Sequence, residues 1–131
     1  MIGLDTNVLA RHFLQDDPVQ AAQAKRAISR LTPEIPGFIA TAVLCELVWV
    51  LKSTYKIPKP KCIDLLEHIL ATSDFEVEHG ELCHQALRLY ATGQADFCDY
   101  LIREIALASG CSTVFTFDKA ALKTPGFTAP K

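Results

Sequence analysis

Short apolar runs alternate along the chain with longer segments in which apolar residues recur at helical spacing. The short runs predict β-strands at residues 1–4, 38–40, 75–78 and 111–117, and a last strand near Phe127. The longer segments predict helices at residues 6–14, 18–31, 41–55, 61–71, 81–91, 96–109 and 118–123. Strands that alternate with helices are typical of an α/β fold with a parallel sheet covered on both faces. In such sheets, ligands bind beyond the carboxyl ends of the strands.

The composition indicates one globular domain, and we expect a single domain over residues 1–131. Half of the residues are hydrophobic and 21% are charged, which suffices for a core. The formal net charge of −2 argues against wholesale electrostatic attraction to nucleic acid, so any such contact must be local. The five cysteines form no C-x-x-C pair, which favours reduced thiols over a zinc cluster.

No segment predicts export or membrane insertion. Asp5 interrupts the apolar start of the chain, unlike a secretory signal. The longest apolar stretch, residues 41–51, contains Glu46 and is shorter than the ~20 residues that span a bilayer. We therefore expect a soluble, cytoplasmic protein without membrane contact.

Two aspartates directly follow predicted strands. Asp5 comes after the first strand and Asp118 after the fourth, so both are expected at the sheet edge where sites form. Each also has a structural interpretation, because an aspartate between a strand and a helix is a good N-cap. Thr6 and Asn7 add oxygen-bearing side chains to the turn at Asp5.

Glu46 is the only charged residue between Ala42 and Leu51. A helix that is apolar on every side is buried, and a buried carboxylate needs a cation or a metal ion as its partner. The sequence therefore predicts a buried Glu46 that binds a metal ion or, alternatively, pairs with a buried lysine or arginine.

Asp96 and Asp99 are three residues apart in a predicted helix, which puts them on one face with Cβ atoms roughly 5–6 Å apart. Two like charges at this spacing repel unless a positive charge intervenes. The alternative is a capping box with Asp96 as N-cap, which the helix dipole also favours. Capping and metal binding can coexist.

Together, three distant regions bring acids to one predicted sheet edge. Hard oxygen ligands without histidine or cysteine select Mg²⁺ or Mn²⁺ over zinc. Acid clusters of this kind hold ions that activate water and stabilise the leaving oxygen of a phosphodiester. The residues alone therefore predict metal-dependent phosphoryl chemistry.

The same residues resemble the motifs of the PIN-domain family, and most of all the toxin ribonucleases of bacterial VapBC-type toxin–antitoxin pairs. The resemblance covers essentially the whole chain in length, motif order and spacing. Its motifs are L-D-T-N-V-L at residues 4–9, Glu46 in an apolar helix, A-D-F-C-D-Y-L-I at 95–102 and T-F-D at 116–118. It implies a three-layer α/β/α sandwich with a central parallel sheet of four to five strands. It also implies hydrolysis of RNA phosphodiesters with Mg²⁺ or Mn²⁺ as the cofactor.

Carried over position by position, the resemblance implies a role for each acid. The central metal-binding and catalytic acids are matched by Asp5, Glu46 and Asp99. A fourth catalytic acid, which often acts through water, is matched by Asp118, and an accessory metal-binding acid by Asp96. Supporting polar positions are matched by Thr6, Asn7 and Thr116.

The resemblance also implies partners. Family members of this kind usually form homodimers and are silenced by a small antitoxin protein. The tail of the antitoxin lies across the active site and its other end binds promoter DNA, so DNA contact is expected only through the antitoxin.

Contacts with an RNA substrate are expected from local cations. Lys52 and Lys56 lie near the end of the Glu46 helix, and Arg11 is near the first acid. Such side chains contact phosphates without reading sequence. The alternative is that lysines at a helix C-terminus only favour its dipole. Trp49 is a candidate for base stacking, but an apolar helix favours the core or a dimer interface.

Three other interpretations compete. A phosphatase of the haloacid-dehalogenase type needs a second aspartate two residues after the first, where this chain has Asn7. A response-regulator receiver expects an early acidic pair and a late lysine. A PIN-like scaffold that only binds a partner is expected to lack some of the acids, whereas all are present here.

Overall fold

Helices and short strands alternate in the order that the sequence predicts. The computed structural model describes residues 1–131. Its strands are β1 (Ile2–Gly3), β2 (Gly37–Ile39), β3 (Phe75–Val77), β4 (Val114–Phe115) and β5 (Phe127–Thr128). Its helices are α1 (Thr6–Leu14), α2 (Pro18–Ser29), α3 (Thr41–Ser53), α4 (Lys59–Ala71), α5 (Gly80–Thr92) and α6 (Phe97–Ala108), followed by a 3-10 turn at Ala121–Lys123. None of the helices combines the length and hydropathy that a membrane crossing requires.

The chain divides into two compact units, Met1–Gly80 and Glu81–Lys131. In the first unit, a three-stranded parallel sheet has the order β1-β2-β3, and Gly37 pairs with Ile2 on one side and Phe75 on the other. In the second unit, β4 and β5 form a two-stranded parallel sheet. The predicted α/β fold with parallel strands is confirmed, and its five strands are divided between sheets of three and two.

Helix packing builds the core of the first unit. Helix α1 packs against α2 and α3, and α3 packs against α4. Fully buried side chains of α3 and α4 include Leu44, Leu47, Leu51, Leu66 and Ile69. Burying an aliphatic side chain of this size stabilises the fold by about 1.5–3 kcal/mol. Because α1 and α3 begin just after β1 and β2, this packing fixes the turns at the carboxyl ends of both strands.

A glycine and two aromatic contacts fix the start of α6 in the second unit. The rings of Tyr90 and Phe97 pack edge to face, with centroids 6.1 Å apart. The Tyr100 hydroxyl accepts a hydrogen bond from the backbone N–H of Ala95 at 3.2 Å. Gly93 lies so close to this hydroxyl that a Cβ atom would overlap it. The turn between α5 and α6 therefore requires glycine.

Candidate active site

Asp5 lies at the carboxyl end of β1, where the sequence predicts it. Its Oδ1 accepts a hydrogen bond from the backbone N–H of Thr6 at 2.8 Å, so Asp5 is the N-cap of α1. The side chain is exposed, and Oδ2 has no hydrogen-bond or ion-pair partner. The capping interpretation is correct, and it leaves one carboxylate oxygen available to a cation.

Thr6 and Asn7 lie in the first turn of α1 with opposite exposure. Thr6 is 1% exposed, and its buried hydroxyl has no hydrogen-bond partner. A buried hydroxyl without a partner costs about 1–3 kcal/mol, so the position of the Thr6 hydroxyl favours a polar ligand beside it. Asn7 is exposed and lines a cavity of about 390 Å³ between α1 and α2. Both residues fit a polar site beside Asp5.

The structure corrects the predicted burial of Glu46. Glu46 is exposed in the middle of α3, and its carboxylate has no hydrogen bond or ion pair. It shares its face with Ala42 and Trp49, which are also exposed. The prediction of a helix buried on every side was wrong, because this face of α3 has no covering element. A core position for Trp49 is excluded as well, since its side chain is 65% exposed.

Glu78 is an acid at the same sheet edge that the sequence analysis did not single out. It follows β3, and its Oε1 accepts hydrogen bonds from the backbone N–H of Thr41 at 3.0 Å and from the Thr41 hydroxyl at 2.9 Å. These bonds lower the pKa of the Glu78 carboxyl. They also cap α3, whose N-cap residue Ala40 has no capping side chain. The signal in the sequence that could have identified Glu78 is its position directly after a predicted strand, which it shares with Asp5.

In the second unit, Asp96 and Asp99 form the capping box that was the structural alternative for this pair. Asp96 is the N-cap of α6, and its backbone N–H donates to Oδ2 of Asp99 at 3.1 Å. Asp96 is exposed and Asp99 is half-buried. The pair is thus held by the helix N-terminus, whose dipole favours negative charge.

Asp118 follows β4 and caps the 3-10 turn. Its Oδ1 accepts from the backbone N–H of Ala121 at 3.0 Å, and its own N–H donates to the hydroxyl of Thr116 at 3.0 Å. Asp118 is exposed, and its Oδ2 has no hydrogen-bond or ion-pair partner. Thr116 therefore orients Asp118 through the backbone.

The predicted acids are divided between the two units. The first contains Asp5 and Glu46 at the start of α1 and on α3, two helices that pack together. The second contains Asp96, Asp99 and Asp118. In neither unit do three or more histidine, cysteine, aspartate or glutamate side chains form a group that would hold a metal ion by itself.

Of the predicted RNA contacts, Arg11 is engaged within the first unit. Its Nη1 donates to both oxygens of Asp16, at 2.9 and 3.0 Å, and its Nε donates to Gln20 at 2.7 Å. The Tyr55 hydroxyl donates to Asp16 at 2.9 Å, and this bond together with Arg11 lowers the pKa of Asp16. The arrangement disfavours Arg11 as a contact for RNA. Lys52 and Lys56 are exposed at and just after the end of α3.

Parallel strands that are followed by Asp5, Glu78 and Asp118 define an α/β protein with carboxylates after the ends of its strands, where ligands bind in folds of this class. The family model described as PIN domain matches residues 2–126. The chain therefore belongs to the PIN-domain family, as its motifs predict.

Two known proteins are similar to this chain over most of its length. A VapC ribonuclease of Aquifex aeolicus (strain VF5) is 28% identical to this chain over 117 residues, which are 88% of this chain and 86% of the relative. Among solved structures, the crystal structure of Mycobacterium tuberculosis VapC20, a toxin that cleaves the sarcin–ricin loop, matches with a TM-score of 0.47 and 18% sequence identity. That match covers 96% of each chain.

Proposed function

We propose that this protein is a Mg²⁺- or Mn²⁺-dependent endoribonuclease and the toxin of a type II toxin–antitoxin pair. The observation that carries the proposal is the PIN-domain match over residues 2–126, which contains all five predicted acids. The similarity to a protein named VapC ribonuclease supports RNA as the substrate. The match runs through both compact units, which supports residues 1–131 acting as one domain.

The residues proposed to hold the cation are Asp5, Glu46, Asp96, Asp99 and Asp118. Their chemistry fits a hard cation, because every donor is a carboxylate oxygen. Asp5 and Asp118 each use one oxygen for capping and keep the other available, and Glu46 has no competing partner. When bound, such a cation neutralises phosphodiester charge and lowers the pKa of water.

The chain's own residues orient the reaction. The caps at Asp5 and Asp118 fix two carboxylates on the backbone, and the Thr116 hydroxyl holds the backbone of Asp118. One carboxylate takes the proton of the attacking water as a general base. The water oxygen forms a new P–O bond as the P–O bond to the leaving ribose oxygen breaks, and that oxygen takes up a proton from solvent water. No residue of the acidic set acts as a covalent nucleophile.

The partners we propose follow from membership of the family. They are an RNA substrate, a second copy of this chain and a small antitoxin protein that covers the site and carries the contact with promoter DNA. Exposed Lys52 and Lys56 are the proposed phosphate contacts on α3. Because RNA and antitoxin would meet the enzyme in the cytoplasm, we place the activity there.

The proposal is tested with protein purified without antitoxin, structured RNA, and added Mg²⁺, Mn²⁺ or EDTA. We expect cleavage with either metal and none with EDTA. Glu46→Gln should lower the rate by about 100-fold or more, since even the outer-shell partners of metal ligands are worth 10- to 100-fold. Glu67→Gln changes another exposed glutamate, on α4, and should leave the rate unchanged.

Metal binding can be measured separately from RNA cleavage. Calorimetric titration with Mn²⁺ should show binding to the wild type and to Glu67→Gln, with weaker binding to Glu46→Gln. If folded wild-type protein cuts no class of RNA with either metal, the enzyme proposal fails. A PIN-like scaffold that only binds a partner then becomes the better account.

A further inference from the structure

The exposed face of α3 carries a tryptophan next to a proposed active-site acid. Ala42, Glu46, Trp49 and Ser53 recur at helical spacing and are all exposed. Trp49 is 65% exposed, although a side chain of this kind is usually largely buried. The proposed function gives Glu46 a role and leaves Trp49 without one.

We propose that Trp49 is the stacking platform for an unpaired nucleobase of the RNA substrate, next to the phosphate that is cut. The inference rests on the proposed function and adds to it a residue that positions the RNA substrate. Trp49 is then a positioning residue, because it acts on the base and leaves the reacting atoms to the acids.

Helix geometry places the two side chains at a suitable separation. Residues three apart on a helix are neighbours on its surface, with Cβ atoms about 5–6 Å apart. A nucleotide whose phosphate is close to Glu46 can therefore reach the indole of Trp49 with its own base or the adjacent one. Aromatic side chains stack on unpaired bases of any sequence, because every base has a π-face.

Positive charge follows in the same direction along the helix. Lys52 is three residues beyond Trp49, and Lys56 lies just after the helix end in a left-handed conformation with φ 55°. Both are exposed. Along α3, the carboxylate of Glu46 is followed by the indole of Trp49 and then by the ammonium group of Lys52. This order suits a single strand of RNA, in which phosphates alternate with bases that can stack. In a chain of net charge −2, nucleic acid must be held by a local arrangement of this sort.

The same observations disfavour a second copy of this chain as the occupant. The buried centre of a protein interface is depleted of charged residues. Here an unpaired carboxylate lies one turn before the indole, and an exposed lysine follows it. Burying Glu46 without a cation would be costly, whereas an RNA phosphate near Glu46 is compatible with the cation that the proposed function assigns to this carboxylate.

The test uses Trp49 as its own reporter, since it is the only tryptophan in the chain. Asp5→Asn protein, impaired in cleavage under the proposed function, is titrated with a single-stranded RNA oligonucleotide and with a duplex of the same length. We expect saturable quenching of the indole fluorescence by the single strand and little change with the duplex. Quenching that is equal for both, or absent with both, would overturn the inference.

Kinetics supply a second measurement. In otherwise wild-type protein, Trp49→Leu should raise KM about tenfold or more with a smaller change in kcat, and Trp49→Phe should restore most of the loss. An unchanged KM in Trp49→Leu would contradict stacking. Loss of dimers in Trp49→Leu, seen by sedimentation with no effect of RNA on fluorescence, would assign this face to a second copy instead.

The two proposals can fail separately. If the wild type cuts RNA but the fluorescence of Trp49 changes with no RNA, the ribonuclease proposal is kept and the proposal that Trp49 stacks on a base is rejected. If nothing is cut, the fluorescence titration still decides whether Trp49 binds an unpaired base.

Discussion

Asp5 and Asp17 occupy equivalent positions at the start of neighbouring helices. Asp5 caps α1 by accepting from Thr6, and Asp17 caps α2 by accepting from the N–H groups of Val19 and Gln20 at 3.1 and 3.0 Å. Only Asp5 follows a strand and carries a motif of the family. Comparing variants of Asp5 and Asp17 therefore distinguishes the contribution of a capping aspartate to the free energy of unfolding from its contribution to RNA cleavage.

We predict that Asp5→Asn abolishes RNA cleavage while changing the free energy of unfolding by only a few tenths of a kcal/mol, because asparagine caps a helix about as well as aspartate. Asp17→Ala should show the opposite. It should lower the free energy of unfolding by about 1 kcal/mol and leave cleavage unchanged. Urea denaturation and a cleavage assay on both variants check this. Full activity in Asp5→Asn would remove Asp5 from the catalytic set.

At the scale of elements, the first residue of α3 is capped by a side chain that follows strand β3. Ala40 cannot cap it, and Glu78 at the end of β3 supplies the acceptor instead. Because β2 and β3 are paired neighbours, this interaction joins the sheet to the helix that carries Glu46 and Trp49.

The lowered pKa of Glu78 predicts a pH dependence of stability. A carboxyl group whose folded pKa lies below its unfolded pKa contributes stability above the unfolded value, which is about 4.3 for glutamate, and loses it as the pH falls through the folded value. Glu78→Gln should therefore have a lower urea midpoint than the wild type at pH 7, and the difference should shrink as the pH falls below about 4.

Glu76→Gln is the matched control, since Glu76 is exposed on the same strand. Its urea midpoint should equal that of the wild type at pH 7. A Glu78→Gln difference that persists unchanged at low pH would show that the ionised carboxylate is not what stabilises α3.

The elements themselves could largely be predicted from the sequence. All six α-helices begin and end within about two residues of the predicted bounds, because caps, prolines and glycines are local signals. Strand β4 is shorter than predicted, Val114–Phe115 rather than residues 111–117. A run of β-branched and aromatic residues indicates a strand, but only pairing with β5 decides how much of the run is in the sheet.

At the scale of the whole molecule, the family match continues across the boundary between the two compact units. The sheet of the second unit has only two short strands, and a two-stranded ribbon is marginally stable by itself. Both facts favour residues 1–131 as one cooperative domain.

We predict a single unfolding transition in urea. Trp49 lies in the first unit, and its fluorescence follows the unfolding of that unit, whereas far-ultraviolet circular dichroism reports on helices of both units. Coincident transitions by the two probes are expected of two-state unfolding. A circular dichroism transition with a second phase that tryptophan fluorescence lacks would show that the second unit unfolds independently.

The sequence by itself determined the order of strands and helices, the parallel α/β class and membership of the PIN-domain family. For Asp5, Asp96 and Asp118 it offered capping as one of two interpretations. These predictions depend on local spacing and on motifs that each occupy a few adjacent residues. Only the tertiary structure decided that Glu46 and Trp49 share an exposed face, that Glu78 caps α3 and that Arg11 is held by Asp16 and Tyr55. Periodicity states which residues share a side of a helix, but burial and pairing depend on which other elements pack against that side.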